Sequence, residues 1–147
     1  MTQSLCIKLI KKVDDDLIAQ INSLLDEGTV WNKHCGEKFL NDCSSALFVA
    51  FFEGKAVGFA IANRLLRFDQ RRSEVMLYEI GVKEEFRRRG IGIALVEEVK
   101  TWAKTQGADE VFVFTNKSNL PAVALYESTQ GKPESKTLDE IMYVFKL

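Results

Sequence analysis

Two kinds of hydrophobic spacing alternate along this chain. Cys6 to Val13 mixes polar and apolar positions in the alternating manner of a half-buried strand. Asp14-Asp15-Asp16 then supplies an N-cap and first-turn acids for a helix running to about Leu25. The apolar face of that helix is Leu17, Ile18, Ile21, Leu24 and Leu25. A mixed stretch from Glu27 to Cys43 predicts a short second helix around Glu37 to Asn41. Ala46 to Phe52 and Ala56 to Leu66 read as strands joined by a hairpin turn at Glu53-Gly54-Lys55. After a polar connection at Phe68 to Arg72, Glu74 to Val82 is another strand. Helical spacing returns at Ile91, with Ala94, Leu95, Val99 and Trp102 on one face and Gly107 as its end. Val111 to Thr115 predicts a strand, and Leu120 to Ser128 a helix with Pro121 in its first turn. Ile141 to Lys146 predicts a last strand, with one more short strand open near Lys132 to Ser135.

A chain of 147 residues without repeat, low-complexity segment or linker predicts a single domain over residues 1–147. The net charge of −1 and the purely local basic run Arg87-Arg88-Arg89 argue against nucleic acid as a partner. No apolar run approaches the ~20 residues that span a membrane, and the first residues lack a signal-peptide core. Three cysteines, Cys6, Cys35 and Cys43, cannot all pair internally, so reduced thiols and a cytoplasmic location are expected. His34 is the only histidine, and with Cys35 and Cys43 it has no common zinc spacing, so no metal is expected. A Ser-His-Asp or Cys-His catalytic set would have to use that same loop-like His34.

Candidate chemistry concentrates at residues 82–92. A strand there gives way to a short basic loop, two glycines and a helix. The first turn of a helix leaves N–H groups without intrahelical partners, and its dipole is positive at that end. Glycine lets a ligand approach the backbone, and arginine adds bidentate donors. Such a loop suits a phosphate or diphosphate. A Walker loop would need Lys and Ser or Thr after Gly92, where Ile93 and Ala94 stand. A dinucleotide fingerprint would need a third Gly or Ala where Leu95 stands.

The spacing V-x-x-x-x-R-x-x-G-x-G, at Val82, Arg87, Gly90 and Gly92, resembles the acyl-coenzyme A pyrophosphate loop of the GNAT superfamily of N-acetyltransferases. The element order agrees, and Asn119 to Tyr126 resembles the family's C-terminal Asn-to-Tyr helix. The resemblance implies an α+β GNAT fold: a three-layer α/β/α arrangement around a central mixed, mostly antiparallel sheet. It further implies acetyl-CoA as co-substrate, held by Ile80, Gly81, Val82, Arg87, Arg88, Arg89, Gly90, Ile91, Gly92 and Asn119. Tyr126 would stand beside the coenzyme sulfur. An acid inside an otherwise apolar strand is costly unless paired or used, which makes Glu79 the candidate base and Glu74 a second one. Histone-type members carry a glutamate three positions before the place of Glu79, where this chain has Met76.

A narrower resemblance lies in Phe68 to Glu74, Tyr78 to Val82 and Pro121-Ala122-Val123-Ala124-Leu125-Tyr126, which look like the type I aminoglycoside 3-N-acetyltransferases. Glu rather than Asp follows the strand tyrosine here. For such a substrate the resemblance implies Asp69, Glu74 and Glu79 as acceptor contacts. A polycation also predicts acids converging on one cleft, with Glu27, Glu37, Asp42, Asp69, Glu74, Glu79, Glu134, Asp139 and Glu140 as candidates. Another amine, such as a polyamine, an amino acid or a peptide N-terminus, stays open, as does a non-catalytic acyl-CoA-binding module. A homodimer is expected from the resemblance alone.

Overall fold

The computed structural model describes residues 4–69, 72–134, 143, 144 and 146. Among the described residues five strands form one sheet in chain order: β1 (Leu5–Leu9), β2 (Ser45–Phe52), β3 (Lys55–Leu65), β4 (Ser73–Val82) and β5 (Ala108–Phe112). The first three pairings are antiparallel and β4 pairs with β5 in parallel. Helices α1 (Asp15–Asn22) and α2 (Lys33–Asn41) cover one face; α3 (Ile91–Thr105) and α4 (Leu120–Ser128) cover the other. The α+β, three-layer arrangement expected from the sequence is the one observed.

β2 shows why a central strand reads as a continuous apolar run. Ala46, Phe48 and Ala50 face the α3 core, whereas Leu47 and Val49 face the α1/α2 core. Both faces are therefore dry. α3 is the main prop of its side, burying Ile91, Leu95, Val96, Val99, Trp102 and Ala103. Each such aliphatic side chain contributes about 1.5–3 kcal/mol by leaving water. Phe48 meets Trp102 edge-on at 6.3 Å, tying the middle of the sheet to the last turns of α3.

One irregularity decides where the chemistry sits. Across β3 and β4, Ile61 lies opposite Glu79 and Ala62 opposite Leu77, so Tyr78 has no partner residue. This is a β-bulge, and it reverses the phase of side-chain alternation. Val75 and Leu77 before the bulge, and Ile80 and Val82 after it, all face the α3 core. Glu79 consequently shares the opposite face with Ile61 and Phe59. Strict alternation would have sent the Glu79 carboxylate into the α3 core with Val75 and Leu77.

Several boundaries differ from expectation for identifiable reasons. β1 ends at Leu9, four residues short of Val13. α1 stops at Asn22 rather than Leu25, and the side chain of Asn22 accepts a hydrogen bond from the Trp31 backbone N–H at 2.6 Å. α2 starts at Lys33 because Asn32 caps it, accepting from the Cys35 N–H at 2.9 Å. Gly36 lies directly beneath the Trp31 ring, where any Cβ would collide. β5 spans Ala108–Phe112 instead of Val111 to Thr115, since its register is set by β4 residues Ser73 to Met76. Lys132, Pro133 and Glu134 form no strand, and the strand expected over Ile141 to Lys146 lies mostly outside the described residues.

Leu95 is completely buried at the centre of α3. Leu95→Ala is expected to destabilise the domain by about 2–5 kcal/mol, read as a lower urea midpoint with unchanged slope.

Candidate functional site

After β4, a one-turn 3-10 segment (Glu84–Phe86) brings the chain to Arg87. Arg88 has φ of 60° and Gly90 of 78°, so the backbone turns twice through left-handed geometry before α3 begins at Ile91. The first-turn N–H groups of α3 precede the first intrahelical bond, from the Ala94 N–H to the Gly90 carbonyl, and point towards this loop. A Cβ at Gly90 would meet nothing within 4 Å. The open space above a helix N-terminus fits a diphosphate, with the dipole favouring its charge.

The two glycines of the motif have different reasons. Gly90 supplies the left-handed turn. Gly92 packs closely, because a Cβ there would stand 3.2 Å from the methyl groups of Leu125 on α4, which would have to give by a few tenths of an ångström. The three arginines also divide. Arg87 Nε donates to the Val82 carbonyl at 3.1 Å, and Arg89 lies over the Phe86 and Phe52 rings at 5.3 and 5.9 Å. Among the described residues Arg88 has no hydrogen bond, ion pair or ring contact.

Next to the loop the sheet opens. β4 and β5 run together from Ser73–Ala108 to Met76–Phe112 and then part. From Leu77 to Val82, no described strand lies along the β5-facing edge of β4. The gap is a cleft of about 240 Å³, lined among others by Tyr78, Glu79, Ile80, Phe114, Asn119 and Tyr126. Buried backbone groups need partners, so an unpaired strand edge in a cleft is a place for a ligand's amides. Of the expected backbone contacts Ile80, Gly81 and Val82, the Val82 carbonyl is engaged by Arg87. Gly81 is glycine because a Cβ would lie 2.8 Å from the Phe59 ring.

Glu79 and Tyr126 reach this cleft from opposite faces of the sheet. Burial, and after it the negative charge of Asp26, holds Glu79 above the usual carboxylate range. Burial likewise raises the Tyr126 hydroxyl, which stays protonated at neutral pH and able to donate. The arrangement offers a proton acceptor on one side and a proton donor on the other. Asn119 caps α4 by accepting from the Ala122 N–H at 3.3 Å and also lines the cleft.

The acids do not converge as expected. Of those within the described residues, only Glu79 lines the cleft. Asp69 and Glu74 are brought together, but around Arg67: Nη2 lies 2.7 Å from Asp69 Oδ2 and Nη1 3.6 Å from Glu74 Oε1. The single guanidinium offsets part of the charge that would otherwise attract a cation. Asp42 accepts from the Ser44 N–H at 2.8 Å and the Ser45 hydroxyl at 3.3 Å. Glu27, Glu37 and Glu134 are exposed, and Asp139 and Glu140 lie outside the described residues. Sequence reasoning missed Asp26, whose only signal was an acid in the loop after α1, and missed Arg67 as the partner of two expected acceptor contacts. Cys6, Cys35 and Cys43 are free and exposed, and no group of described His, Cys, Asp and Glu residues is arranged to hold a metal ion. No described helix is long and apolar enough to cross a membrane.

The profile of the acetyltransferase (GNAT) family matches residues 16–131. The chain belongs to this family. It is 35% identical over 92 residues to human N-acetyltransferase 8B, covering 63% of this chain and 40% of that protein. Thus it spans about two fifths of the length of the human relatives it matches. An N-alpha-acetyltransferase of Sulfurisphaera tokodaii is 31% identical over 140 residues, covering 90% of this chain and 82% of the relative. In three dimensions the fold is similar to an aminoglycoside acetyltransferase from an uncultured soil metagenomic sample, solved in complex with sisomicin. That likeness has a TM-score of 0.81 over 97% of both chains at 23% identity.

Gly90→Ala places a Cβ in left-handed geometry. It is expected to cost about 1–2 kcal/mol of stability in urea unfolding, although nothing crowds the site.

Proposed function

We propose that this domain is an acetyl-CoA-dependent N-acetyltransferase that acetylates a primary amine. The observation that carries the reading is the parting of β4 and β5 beside the α3 N-terminus, with Glu79 and Tyr126 at the gap. The α3 N-terminus and the loop residues Arg88, Gly90, Ile91 and Gly92 would hold the diphosphate, and the free edge at Ile80 and Gly81 the pantetheine amides. Acetyl-CoA supplies the activated acyl group. Glu79, directly or through a water, takes a proton from the substrate ammonium so that the amine can attack. A backbone N–H of the β4 edge faces the developing oxyanion. Tyr126 hydrogen-bonds or protonates the departing thiolate; burial keeps its hydroxyl protonated as a hydrogen-bond donor while making it a weaker acid. A cytoplasmic location and a homodimer are part of the same proposal.

The acceptor we favour is an aminoglycoside, acetylated at its 3-amino group. The Ser73-Glu74 start of β4, the Pro121-to-Tyr126 string and the likeness to solved aminoglycoside acetyltransferases support this reading. A second acceptor class is favoured by one observation. A cleft with a single carboxylate among its described lining residues suits one ammonium group, as on a peptide N-terminus, and the Sulfurisphaera relative is an N-alpha-acetyltransferase.

Thiol release from acetyl-CoA, measured against gentamicin, sisomicin, kanamycin, spermidine and a short peptide, separates them. Turnover with gentamicin and sisomicin and silence with peptide supports the drug acceptor; the converse replaces it. With whichever substrate turns over, Glu79→Gln is expected to lower kcat about 10²- to 10⁴-fold, and Tyr126→Phe about 10- to 100-fold. CoA binding should survive both changes. Glu79 must be ionised to act, so kcat/KM falls as pH drops through its raised pKa. Asp26→Asn removes a like charge that raises that pKa, so the acid limb should move to lower pH.

A further inference from the structure

The run Arg87-Arg88-Arg89 looks like a cluster of three equivalent phosphate ligands, and the structure treats the three differently. Arg89 is turned back onto the protein. Its guanidinium lies 5.3 Å from the centre of the Phe86 ring and 5.9 Å from that of Phe52. The two rings touch each other at 5.6 Å with a 58° tilt. Both distances fall within the range at which a cation is attracted to an aromatic face.

The location gives these contacts a consequence. Phe52 is the last residue of β2, directly before the turn at Glu53 and Gly54, and belongs to the α3 core with Phe86. It is fixed by the sheet. Phe86 ends the 3-10 turn that follows β4. Arg89 immediately precedes Gly90, the residue that opens α3. The sandwich therefore pins both ends of the segment between Phe86 and Gly90 to the end of β2. Within it, Arg88 is held at φ of 60°, an unfavourable conformation for a side-chain-bearing residue unless its surroundings impose it. Arg87 closes the other side through the Val82 carbonyl.

We infer that Arg89 is a positioning residue, which with Phe52 and Phe86 sets the curvature of the diphosphate loop, and that Arg88 is the guanidinium left to meet phosphate. This rests on the reading of residues 83–92 as a diphosphate loop. Arg89 then acts on coenzyme affinity through the backbone N–H groups it holds in place, without touching the coenzyme itself.

The test is a double-mutant cycle on CoA binding by calorimetry, at three salt concentrations. Phe52→Leu is expected to weaken CoA binding about three- to five-fold, although Phe52 lies on β2 and outside the loop. Arg89→Gln should weaken it by a similar factor, and the double variant no further than the worse single one. Arg89→Lys should recover part of the loss, since an ammonium also binds aromatic faces. The salt dependence of binding should stay that of the parent in Arg89→Gln and become shallower in Arg88→Gln, where a direct charge contact is lost. Phe86→Leu repeats the ring test from inside the loop, and urea midpoints confirm that each variant is folded. Additive losses, or a shallower salt dependence in Arg89→Gln, would make Arg89 a direct phosphate ligand and overturn the inference. A folded parent that does not bind CoA overturns the diphosphate-loop reading itself, and the inference with it.

Discussion

The separation of β4 from β5 after Met76 and Phe112 is the constraint on which the rest of the site depends. A parallel pair is ordinarily closed along its length, because each unpaired backbone group in a dry interior is costly. Here only four register pairs hold the two strands together, and then β5 ends while β4 continues to Val82. The α3 core supports the open region from beneath through Leu77, Ile80 and Val82. The fold can bear the loss of pairing because α3 and the sheet bury so much on that side.

The Tyr78 bulge works together with this opening. It lets β4 keep apolar side chains towards α3 on both sides of the gap, and yet turn Glu79 to the other face. The carboxylate is then near Asp26 from the α1 side, and Tyr126 comes up with α4 from the α3 side. Burial raises both groups: it keeps the Tyr126 phenol protonated, and with the charge of Asp26 it makes the Glu79 carboxylate hold a proton more readily than an exposed acid would. The loop proposed to take the diphosphate is a separate feature, with Gly90 in left-handed geometry and Arg89 stacked over Phe86 and Phe52 at the start of α3. Packing of Leu125 against Gly92 joins that loop to the helix carrying Tyr126.

Local signals were legible in the chain, and those that depend on partner strands were not. The starts of α3 at Ile91 and α4 at Leu120 could be read because Gly90 and Asn119 lie directly before apolar, helix-spaced residues. The start of α2 was missed, since Asn32 draws its role from a cap that Trp31 and Gly36 help to place. β5 was set three residues late, because its extent is decided by Ser73 to Met76 on another strand. The bulge at Tyr78 marks the chain only as a change of phase, from Val75 and Leu77 to Ile80 and Val82, which the apolar Met76 and Tyr78 obscure. Glu79 was nevertheless found, as a carboxylate in an apolar strand. Convergence of the acids on one cleft is not observed: Asp69 and Glu74 pair with Arg67, two residues beyond the end of β3, and charge pairing of that kind is invisible without the fold.

The central claim, that the β4 edge and the α3 N-terminus together hold the coenzyme, can be tested most directly by amide hydrogen exchange with and without CoA. Bound CoA is expected to slow exchange at two separate stretches, Ile80 to Val82 and Gly90 to Ile93, with β1 and α1 unchanged. Protection confined to some other surface, or none at saturating CoA, would contradict it.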